Sequence, residues 1–112
     1  MAEKKKEFGV VSPEQCFEDY QLPIYQNKNQ VLKKIGYPPE LRREGVQGSV
    51  SFSLIIDKQG NIDYAHLIHS SDSRLTELVR SGFRYLEIVP GSCNGKPATM
   101  MNDLNMHFRL SP

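Results

Sequence analysis

The sequence predicts a small α+β domain in which helices pack on one face of a three-stranded antiparallel sheet. Three observations support this fold class. Residues 48–56, GSVSFSLII, alternate apolar and small polar side chains, and a second alternating segment follows a tight turn. A segment with helical spacing of apolar residues comes next, and a third alternating segment ends the chain. A chain of 112 residues has room for only one such domain.

The first predicted strand is strongly two-sided. Its odd-numbered positions 49, 51 and 53 are serines, so one face is apolar and the other is lined by hydroxyls. We expect the apolar face to pack on helices and the serine face to be in contact with water. The apolar positions are Val50, Phe52, Leu54 and Ile56.

The residues after Ile56, DKQGN, predict a hairpin turn, since Gly60 and Asn61 tolerate a positive φ. The strand that follows, IDYAHLIHSS, places Ile62, Ala65 and Leu67 on one face only if a one-residue bulge lies near Asp63 and Tyr64. We therefore predict an antiparallel hairpin with a bulge in its second strand.

Helices are predicted on both sides of this hairpin. Ser12 before Pro13 is typical of a helix start, and NKNQVLKKIG predicts a short helix that ends at Gly36. The main helix is predicted in SSDSRLTELVRSGFRYLEI, where Ser or Asp can cap the first turn. Its apolar stripe consists of Leu75, Leu78, Val79, Phe83 and Leu86.

The last segment predicts the third strand and a free edge of the sheet. Asn102 interrupts its apolar side, and no proline occurs between Ala98 and Leu110. The apolar side consists of Met100, Leu104, Met106, Phe108 and Leu110, and the other side of Thr99, Met101, Asp103, Asn105, His107 and Arg109.

Composition excludes several classes of function. A net charge of +1 gives no strong field for nucleic acid, so we expect no nucleic-acid partner. No apolar run reaches the roughly 18 to 20 residues that span a bilayer, and the first residues lack the apolar core of a signal peptide.

Residues 1–12 contain EKKKE, which has nothing to bury, so we predict a flexible charged lead-in before a single domain at residues 13–112.

The sequence contains no strong signature of a metal-binding, phosphate-binding or catalytic site. His66 and His69 point to opposite faces of a strand, which disfavours a shared metal. The loop GSCNGKP lacks the spacing of a phosphate-binding loop and predicts a turn. Cys16 and Cys93 are too few for a disulfide framework, so we expect two free thiols and no obligatory bridge, with a single bridge left open for an oxidising compartment. We expect no enzymatic activity, no cofactor and no metal site.

From Leu22 to Leu110 the chain resembles the C-terminal domain of TonB-type energy transducers. The resemblance depends on the order of YPPELRREGVQGSVSFSLIIDKQGNI, HSSDSRL and VPGSCNGKPATMMNDLNMHFRL. The segment from Asn94 to Pro97 is similar to the form found in Bacteroidetes-like bacteria. The matching features are the Tyr37 and Pro38 pair, the spacing of Gly45 and Gly48, the turn from Asp57 to Gly60, Ser70 and Ser71 before the helix, and Pro90 with Gly91.

This resemblance implies two helices on a three-stranded antiparallel sheet and a role in the periplasm. Such domains are anchored to the inner membrane, work with a proton-driven motor complex and bind an extended segment of an outer-membrane transporter. The last strand takes that segment as an added strand, beside the Tyr-Pro pair. The residues that this implies for binding are Tyr37, Pro38, Thr99, Met100, Met101, Asn102, Asp103, Leu104 and Asn105.

The chain departs from the family pattern in three ways. It has no tryptophan near the end of the main helix, where Leu86 or Ile88 takes the place, and Thr76 stands where an Asp is common. The membrane anchor and proline-rich linker are also outside this sequence. We therefore keep two hypotheses, a transporter-binding module of an energy transducer and a stand-alone interaction or dimerisation domain with no transport role.

Overall fold

The strand at Gly48–Ile56 is the centre of the main sheet and pairs with a strand on each side. The computed structural model describes residues 1–110. The helices are α1 (Ala2–Phe8), α2 (Lys28–Ile35), α3 (Pro39–Arg43) and α4 (Ser73–Gly82), with short 3₁₀ turns at Pro13–Gln15 and Phe83–Tyr85. The strands are β1 (Tyr20–Gln21), β2 (Ile24–Tyr25), β3 (Gly48–Ile56), β4 (Ile62–Ser70), β5 (Ile88–Val89), β6 (Ser92–Cys93), β7 (Lys96–Pro97) and β8 (Met100–Phe108).

The main sheet has the order β4-β3-β8, and both pairings are antiparallel. This confirms the predicted fold class, with β4 and β8 as the two edge strands. Two small ribbons of two-residue strands, β1-β6-β7 and β2-β5, join the segment before α2 to the segment after α4. The sequence did not predict these ribbons.

The β3–β4 hairpin turn is held by Asp57. Its carboxylate accepts hydrogen bonds from the backbone N–H groups of Gln59 and Asn61, both at 2.8 to 2.9 Å. Although desolvation opposes them, these bonds hold the pKa of Asp57 below its usual range. Gly60 has φ +88°, and a Cβ there would lie 2.4 Å from the carbonyl oxygen of Ile88, so the turn requires glycine.

Strand β4 contains two irregularities. Ile55 pairs with Tyr64 and Ile56 with Ile62, so Asp63 is an extra residue. This confirms the bulge predicted at this point. A second extra residue, Ile68, was not predicted, and its side chain is 51% exposed.

The apolar core lies between the sheet and the helices α2, α3 and α4. Phe52 packs edge-on against Phe83 with ring centroids 5.1 Å apart, and Leu54 is fully buried. The predicted alternation of β3 is therefore confirmed. The predicted helical stripe is confirmed for Leu75, Leu78 and Val79, whereas Phe83 and Leu86 reach the core from the 3₁₀ turn and the residue after it, because α4 ends at Gly82. Asp72 caps α4 by accepting a hydrogen bond from the N–H of Arg74 at 2.8 Å. The buried core residues are Val31, Leu41, Val50, Phe52, Leu54, Ile56, Leu75, Val79, Leu104, Met106 and Phe108.

The expectation of a solvent-facing serine side on β3 is wrong at one end of the strand. Ser53 is only 7% exposed, and its hydroxyl donates to Asp103 Oδ1 at 2.8 Å. Ile55, on the same side, is fully buried. Its cross-strand neighbour Tyr64 stacks with Phe8 of α1, with ring centroids 6.1 Å apart. The N-terminal segment therefore covers this end of the second face.

Residues 1–11, which we call the N-terminal arm, contain regular structure. None of the residues of α1 is buried, and the helix ends at Gly9 with φ +69°. Lys4 lies over the ring of Tyr64 at 5.3 Å, and the N–H of Val11 donates to the carbonyl of Thr99 at 3.0 Å. The arm thus touches both β4 and the residue that precedes β8. A domain boundary at residue 13 stays a prediction.

The two cysteines form a disulfide bond, Cys16–Cys93, which corrects the expectation of free thiols. The β1–β6 ribbon brings them together, because Tyr20 is the register partner of Cys93. The side chain of Asn94 also accepts hydrogen bonds from the N–H groups of Glu18 and Asp19. The strands involved have two residues each, which is too short for a period to be read from the sequence.

Replacement of Leu54 tests the assigned core. Leu54→Ala should lower the free energy of unfolding by about 2 to 5 kcal/mol, because it leaves a cavity in a fully buried site. Leu67→Ala is the control, since Leu67 is 37% exposed and should cost less than about 1.5 kcal/mol. Urea denaturation measures both values, and equal losses would contradict the register.

Removal of the disulfide tests the covalent link between the segment before β1 and strand β6. The bond links residues 77 apart, so the double variant Cys16→Ser and Cys93→Ser should lose about 2 to 5 kcal/mol. Thiol titration of the unfolded, unreduced protein should find no free thiol, and two after reduction. Two reactive thiols before reduction would show that the bridge does not form.

Candidate functional site

The candidate site is the outer edge of β8, and the register of the sheet determines which backbone groups point there. The carbonyl of Ser49 accepts from the N–H of Ser71, just beyond β4, so the backbone groups of Ser49 point toward β4. Backbone groups alternate along a strand, and those of Val50 and the other even-numbered residues of β3 therefore point toward β8. The even-numbered residues of β8 are their register partners. It follows that Met101, Asp103, Asn105 and His107 direct their N–H and C=O groups outward.

Two backbone groups in the first part of this edge already have partners within the chain. The outward carbonyl of Thr99 accepts from Val11 of the N-terminal arm. The outward N–H of Asp103 donates to the side-chain oxygen of Asn102 at 2.9 Å. From the carbonyl of Asp103 to that of His107, the outward groups have no hydrogen-bond partner among residues 1–110. The longest free stretch of the edge is therefore its C-terminal half, and in the first half the outward N–H and C=O of Met101 also have no partner among residues 1–110.

Asn102 has a structural role on the helix side of the sheet. Its side chain donates to the carbonyl of Pro23 at 2.8 Å, and its own carbonyl accepts from the hydroxyl of Tyr25 at 3.0 Å. These bonds hold β2 and the residue before it against β8. They also explain why a polar residue interrupts the apolar side of this strand.

Burial of the Tyr25 side chain, together with the nearby charge of Asp103, raises the pKa of the Tyr25 phenol.

Tyr37 lies at the opposite end of β8 from Thr99. Its ring packs edge-on against Phe108 with centroids 6.1 Å apart, and its hydroxyl donates to the carbonyl of Val46. Pro38, the next residue, is the cap of α3. The sequence grouped this pair with residues 99–105, and the structure places Tyr37 beside residues 107–110.

The other predicted site residues divide by exposure. The side chains of Met100 and Leu104 are buried, at 0% and 1% exposure, so they can contribute only backbone groups. Asp103 and Asn105 are exposed on the second face of the sheet, and Met101 is half-buried there. Whether these residues bind a partner stays a prediction.

Two adjoining cavities surround Tyr37 at the free end of the edge. One is about 350 Å³ and the other about 360 Å³. Lys33, Arg42 and Arg109 contribute the charged groups, and neither cavity is lined by a described Asp or Glu. The complete lining consists of Leu32, Lys33, Gly36, Tyr37, Arg42, His107, Phe108, Arg109 and Leu110.

A larger cavity of about 510 Å³ lies between α3 and α4. Its floor contains Leu41 and Leu78, and its rim contains Glu40 and Glu77. Arg74 crosses the rim and is bonded to Glu44 at 2.8 Å. None of the outward-pointing residues of β8 lines it, so this cavity is separate from the strand edge.

Residues 1–110 provide neither a metal-binding cluster nor a helix that could cross a membrane. Among residues 1–110, no three His, Cys, Asp or Glu side chains are grouped closely enough to hold a metal ion. None of the helices in that range combines the length and apolar character needed to cross a membrane.

The fold is thus a small α+β domain whose central antiparallel sheet leaves one regular edge strand open beside a helical layer. The family model described as the Gram-negative bacterial TonB protein C-terminal matches residues 33–110. This match covers more than half of the chain, and the chain belongs to that family. A search of curated proteins found no match.

Family membership gives the general character of the domain. TonB C-terminal domains are protein-interaction domains rather than enzymes, and they lie in the periplasm in full-length proteins. Members of the family interact with outer-membrane TonB-dependent transporters. The matched range includes α3, the main sheet and α4, but it does not include the N-terminal arm, β1 or β2.

Sequence reasoning missed two features of the site. It treated residues 1–12 as a lead-in, and so did not find the bond from Val11 to Thr99. It also did not group Lys33, Arg42 and Arg109, which come from α2, from α3 and from the residue after β8. No local pattern joins these three cations, since only the tertiary packing around Tyr37 brings them together.

The bond from Tyr25 to Asn102 predicts an alkaline loss of stability. The pKa of Tyr25 is higher in the folded than in the unfolded protein, where it is about 10, so the folded state favours the neutral phenol. This contribution is complete below pH of about 10 and is lost as pH rises above that value. Tyr25→Phe should cost about 0.5 to 1.5 kcal/mol at pH 7, and its free energy of unfolding should fall less steeply above pH 10 than that of the natural protein.

Chemical denaturation at pH 7 to 11 measures both effects of Tyr25→Phe. Tyr85→Phe is the control, because Tyr85 is 36% exposed. Parallel pH profiles for the natural protein and Tyr25→Phe would contradict the assignment.

Proposed function

We propose that the outer edge of β8 captures an extended segment of an outer-membrane transporter by strand addition. The main supporting observation is that the outward groups from the carbonyl of Asp103 to that of His107 have no hydrogen-bond partner among residues 1–110, while the same strand is paired to β3 on its other side. An added strand would satisfy these donors and acceptors through main-chain hydrogen bonds. Family membership supports the transporter as the partner.

The proposed binding segment includes the predicted residues Thr99, Met100, Met101, Asn102, Asp103, Leu104 and Asn105, together with Tyr37 and Pro38. The structure favours the C-terminal part of this set, since Val11 occupies the carbonyl of Thr99. We extend the segment to His107, which lines the cavity beside Tyr37. Specificity would then come from side chains around that cavity rather than from the buried Met100 and Leu104.

In the full-length protein, the captured transporter would be coupled to the inner-membrane proton-driven motor through a membrane anchor outside this sequence. The hydrogen bonds of Asn102 to Pro23 and Tyr25, which join β8 to the β2–β5 ribbon, suit a domain that carries a load. The Cys16–Cys93 bond is consistent with the oxidising periplasm.

A second candidate is self-pairing of β8 into a homodimer. If a two-fold axis passed through the Asn105–Asn105 pair, the two copies of β8 would run antiparallel. Asp103 of one copy, two residues before the axis, would then face His107 of the other copy, two residues after it. Both side chains are exposed on the same face, which favours this antiparallel pairing. Analytical ultracentrifugation distinguishes the two candidates, since only self-pairing gives a dimer without added peptide.

The strand-addition proposal is tested with isotopically labelled protein and transporter peptides from the same organism. The amide signals of Asp103, Asn105 and His107 should move first, and those of Ser49 and Ser51 should stay nearly still. If the peptides leave β8 unmoved at millimolar concentration, strand addition at this edge is wrong.

Asn105→Pro tests the backbone mechanism itself. The N–H of Asn105 points outward, so proline removes a donor to the guest strand without removing a bond to β3. Binding should fall at least roughly tenfold, given the loss of one main-chain hydrogen bond and the altered strand geometry. Asn105→Thr is the matched control, because it changes the side chain and keeps the donor. Circular dichroism checks that both variants fold, and equal binding by both would contradict the proposal.

A further inference from the structure

The cavity of about 510 Å³ between α3 and α4, which we call the helical groove, has an apolar floor. The floor contains Leu41, which is only 3% exposed, and Leu78, which packs against the core. Cavities that bind ligands in proteins typically have volumes of roughly 300 to 1,000 Å³. The helical groove is therefore large enough to accept an apolar side chain of a partner together with its neighbours.

Helix α4 forms one wall of the helical groove. The residues that it contributes recur at helical spacing, so they lie on one side of the helix. They are Arg74, Glu77, Leu78 and Ser81. Arg74 is bonded at 2.8 Å to Glu44, the residue after α3, and this ion pair joins the two helices at the first turn of α4. From that turn the groove continues along α4 to the exposed Ser81, so it is open to solvent.

The rim of the helical groove is acidic. Three carboxylates and one guanidinium line it. The guanidinium, that of Arg74, is bonded both to Glu44 and to Asp72, which lies outside the groove. The other two carboxylates, those of Glu40 and Glu77, therefore receive no ion pair from Arg74.

Glu40 and Glu77 have no close cation of their own. Glu40 is exposed and forms no ion pair with a residue in the range 1–110. The side chain of Glu77 is 77% exposed, and its contact with Arg80 is long, at 4.0 Å. The guanidinium of Arg80 lies over the ring of Phe52, 5.0 Å from its centroid, and not in the groove. Each helix thus contributes one carboxylate that is free to bind a cation of a partner.

The charges on the two sides of α3 are separated by sign. The helix contributes Glu40 to the helical groove, and it contributes Arg42 to the cavity beside Tyr37, which is lined by no described Asp or Glu. The chain as a whole has a net charge of only +1. The acidic rim is therefore a local feature of the groove and does not reflect an acidic protein surface.

We infer that the helical groove binds a short protein segment in which a large apolar side chain stands between two basic residues. The apolar side chain lies on Leu41 and Leu78, and the basic residues lie beside Glu40 and Glu77, where their charge is complementary. Because these carboxylates are exposed, salt screens their attraction, and the apolar contact provides the larger share of the affinity.

This docking surface is independent of strand addition. None of the outward-pointing residues of β8 lines the helical groove. A segment in the groove and a strand on the edge can therefore bind to one domain at the same time.

The probes are five-residue peptides with blocked ends. The first has the sequence glycine, lysine, leucine, lysine, glycine. Three comparison peptides replace both lysines by glutamine, both lysines by glutamate, or the leucine by alanine. Binding is followed through the amide signals of isotopically labelled protein, at low and at high salt.

Ser81→Lys is designed to fill the groove with a cation of the protein itself. A lysine at this position lies four residues after Glu77, and a pair with this spacing and order stabilises a helix. The variant should therefore fold, which circular dichroism checks. Gln59→Lys is the matched control, because it adds the same charge at an exposed position of the hairpin turn.

A second pair of variants removes charge without filling the groove. The test variant combines Glu40→Gln and Glu77→Gln. The control combines Glu14→Gln and Glu87→Gln, which removes the same charge from exposed positions that do not line the groove.

The peptide with lysines and leucine should move the amide signals of Leu78 and Ser81 and leave those of Asp103 and Asn105 nearly still. At low salt it should bind about fivefold more tightly than the glutamine peptide, since two exposed ion pairs form. It should bind about tenfold more tightly than the alanine peptide, since less apolar surface is buried by alanine. The glutamate peptide should bind most weakly.

The variants should separate the two contributions. Ser81→Lys should weaken all binding by the lysine peptide at least about fivefold, and Glu40→Gln with Glu77→Gln should abolish the preference for lysine over glutamine. Both control variants should bind as the natural protein does, and high salt should reduce the preference for lysine.

Several results would overturn the inference. They are equal binding of the lysine and glutamine peptides, equal losses in a test variant and its control, and no shift of Leu78 or Ser81 at millimolar peptide. Shifts of these two signals that depend on protein concentration without peptide would show that a second copy of the chain occupies the groove, which would also overturn it.

Discussion

The pairing of β8 with β3 is the constraint on which the rest of the structure depends. It continues for nine residue pairs without a register shift, from Gly48 opposite Phe108 to Ile56 opposite Met100. A shift of one residue would move Leu104 and Met106 out of the core and also reverse the direction of every backbone group on the outer edge. The burial of the even-numbered side chains therefore fixes which donors and acceptors face outward. In this strand, core packing and the geometry of the candidate site are consequences of the same register.

The two edges of the sheet differ in a way that supports this reading. Strand β4 has extra residues at Asp63 and Ile68, and bulges of this kind twist an edge and interrupt the even spacing that a guest strand needs. Strand β8 has no such irregularity relative to β3. In its N-terminal part Val11 and the side chain of Asn102 satisfy two of the outward groups, so the longest open and regular stretch of the edge is the C-terminal half.

Much of the fold could be predicted from periodicity, because a long strand or helix repeats its burial pattern several times. The alternation from Val50 to Ile56, the bulge at Asp63 and the stripe of α4 were all found in this way. The ribbons of two residues have no period, and the Cys16–Cys93 bond depends on them, so the expectation of free thiols was wrong. Ser53 was misplaced for a related reason, since its burial depends on the distant Asp103 and on the N-terminal segment that covers the neighbouring Ile55.

In the candidate site, too, some features follow from the pattern within one strand and others only from contacts between segments that are distant in the sequence. Outward backbone groups follow from the register, which the sequence pattern of β8 specifies within one strand. The cations around Tyr37 come from α2, from α3 and from the residue after β8, and they meet only through the packing of Tyr37 on Phe108. Sequence alone therefore identifies the strand with the open edge, whereas the side chains around that edge are brought together only in the folded domain. This is the expected division when main-chain bonds provide the pairing and surrounding side chains select the partner.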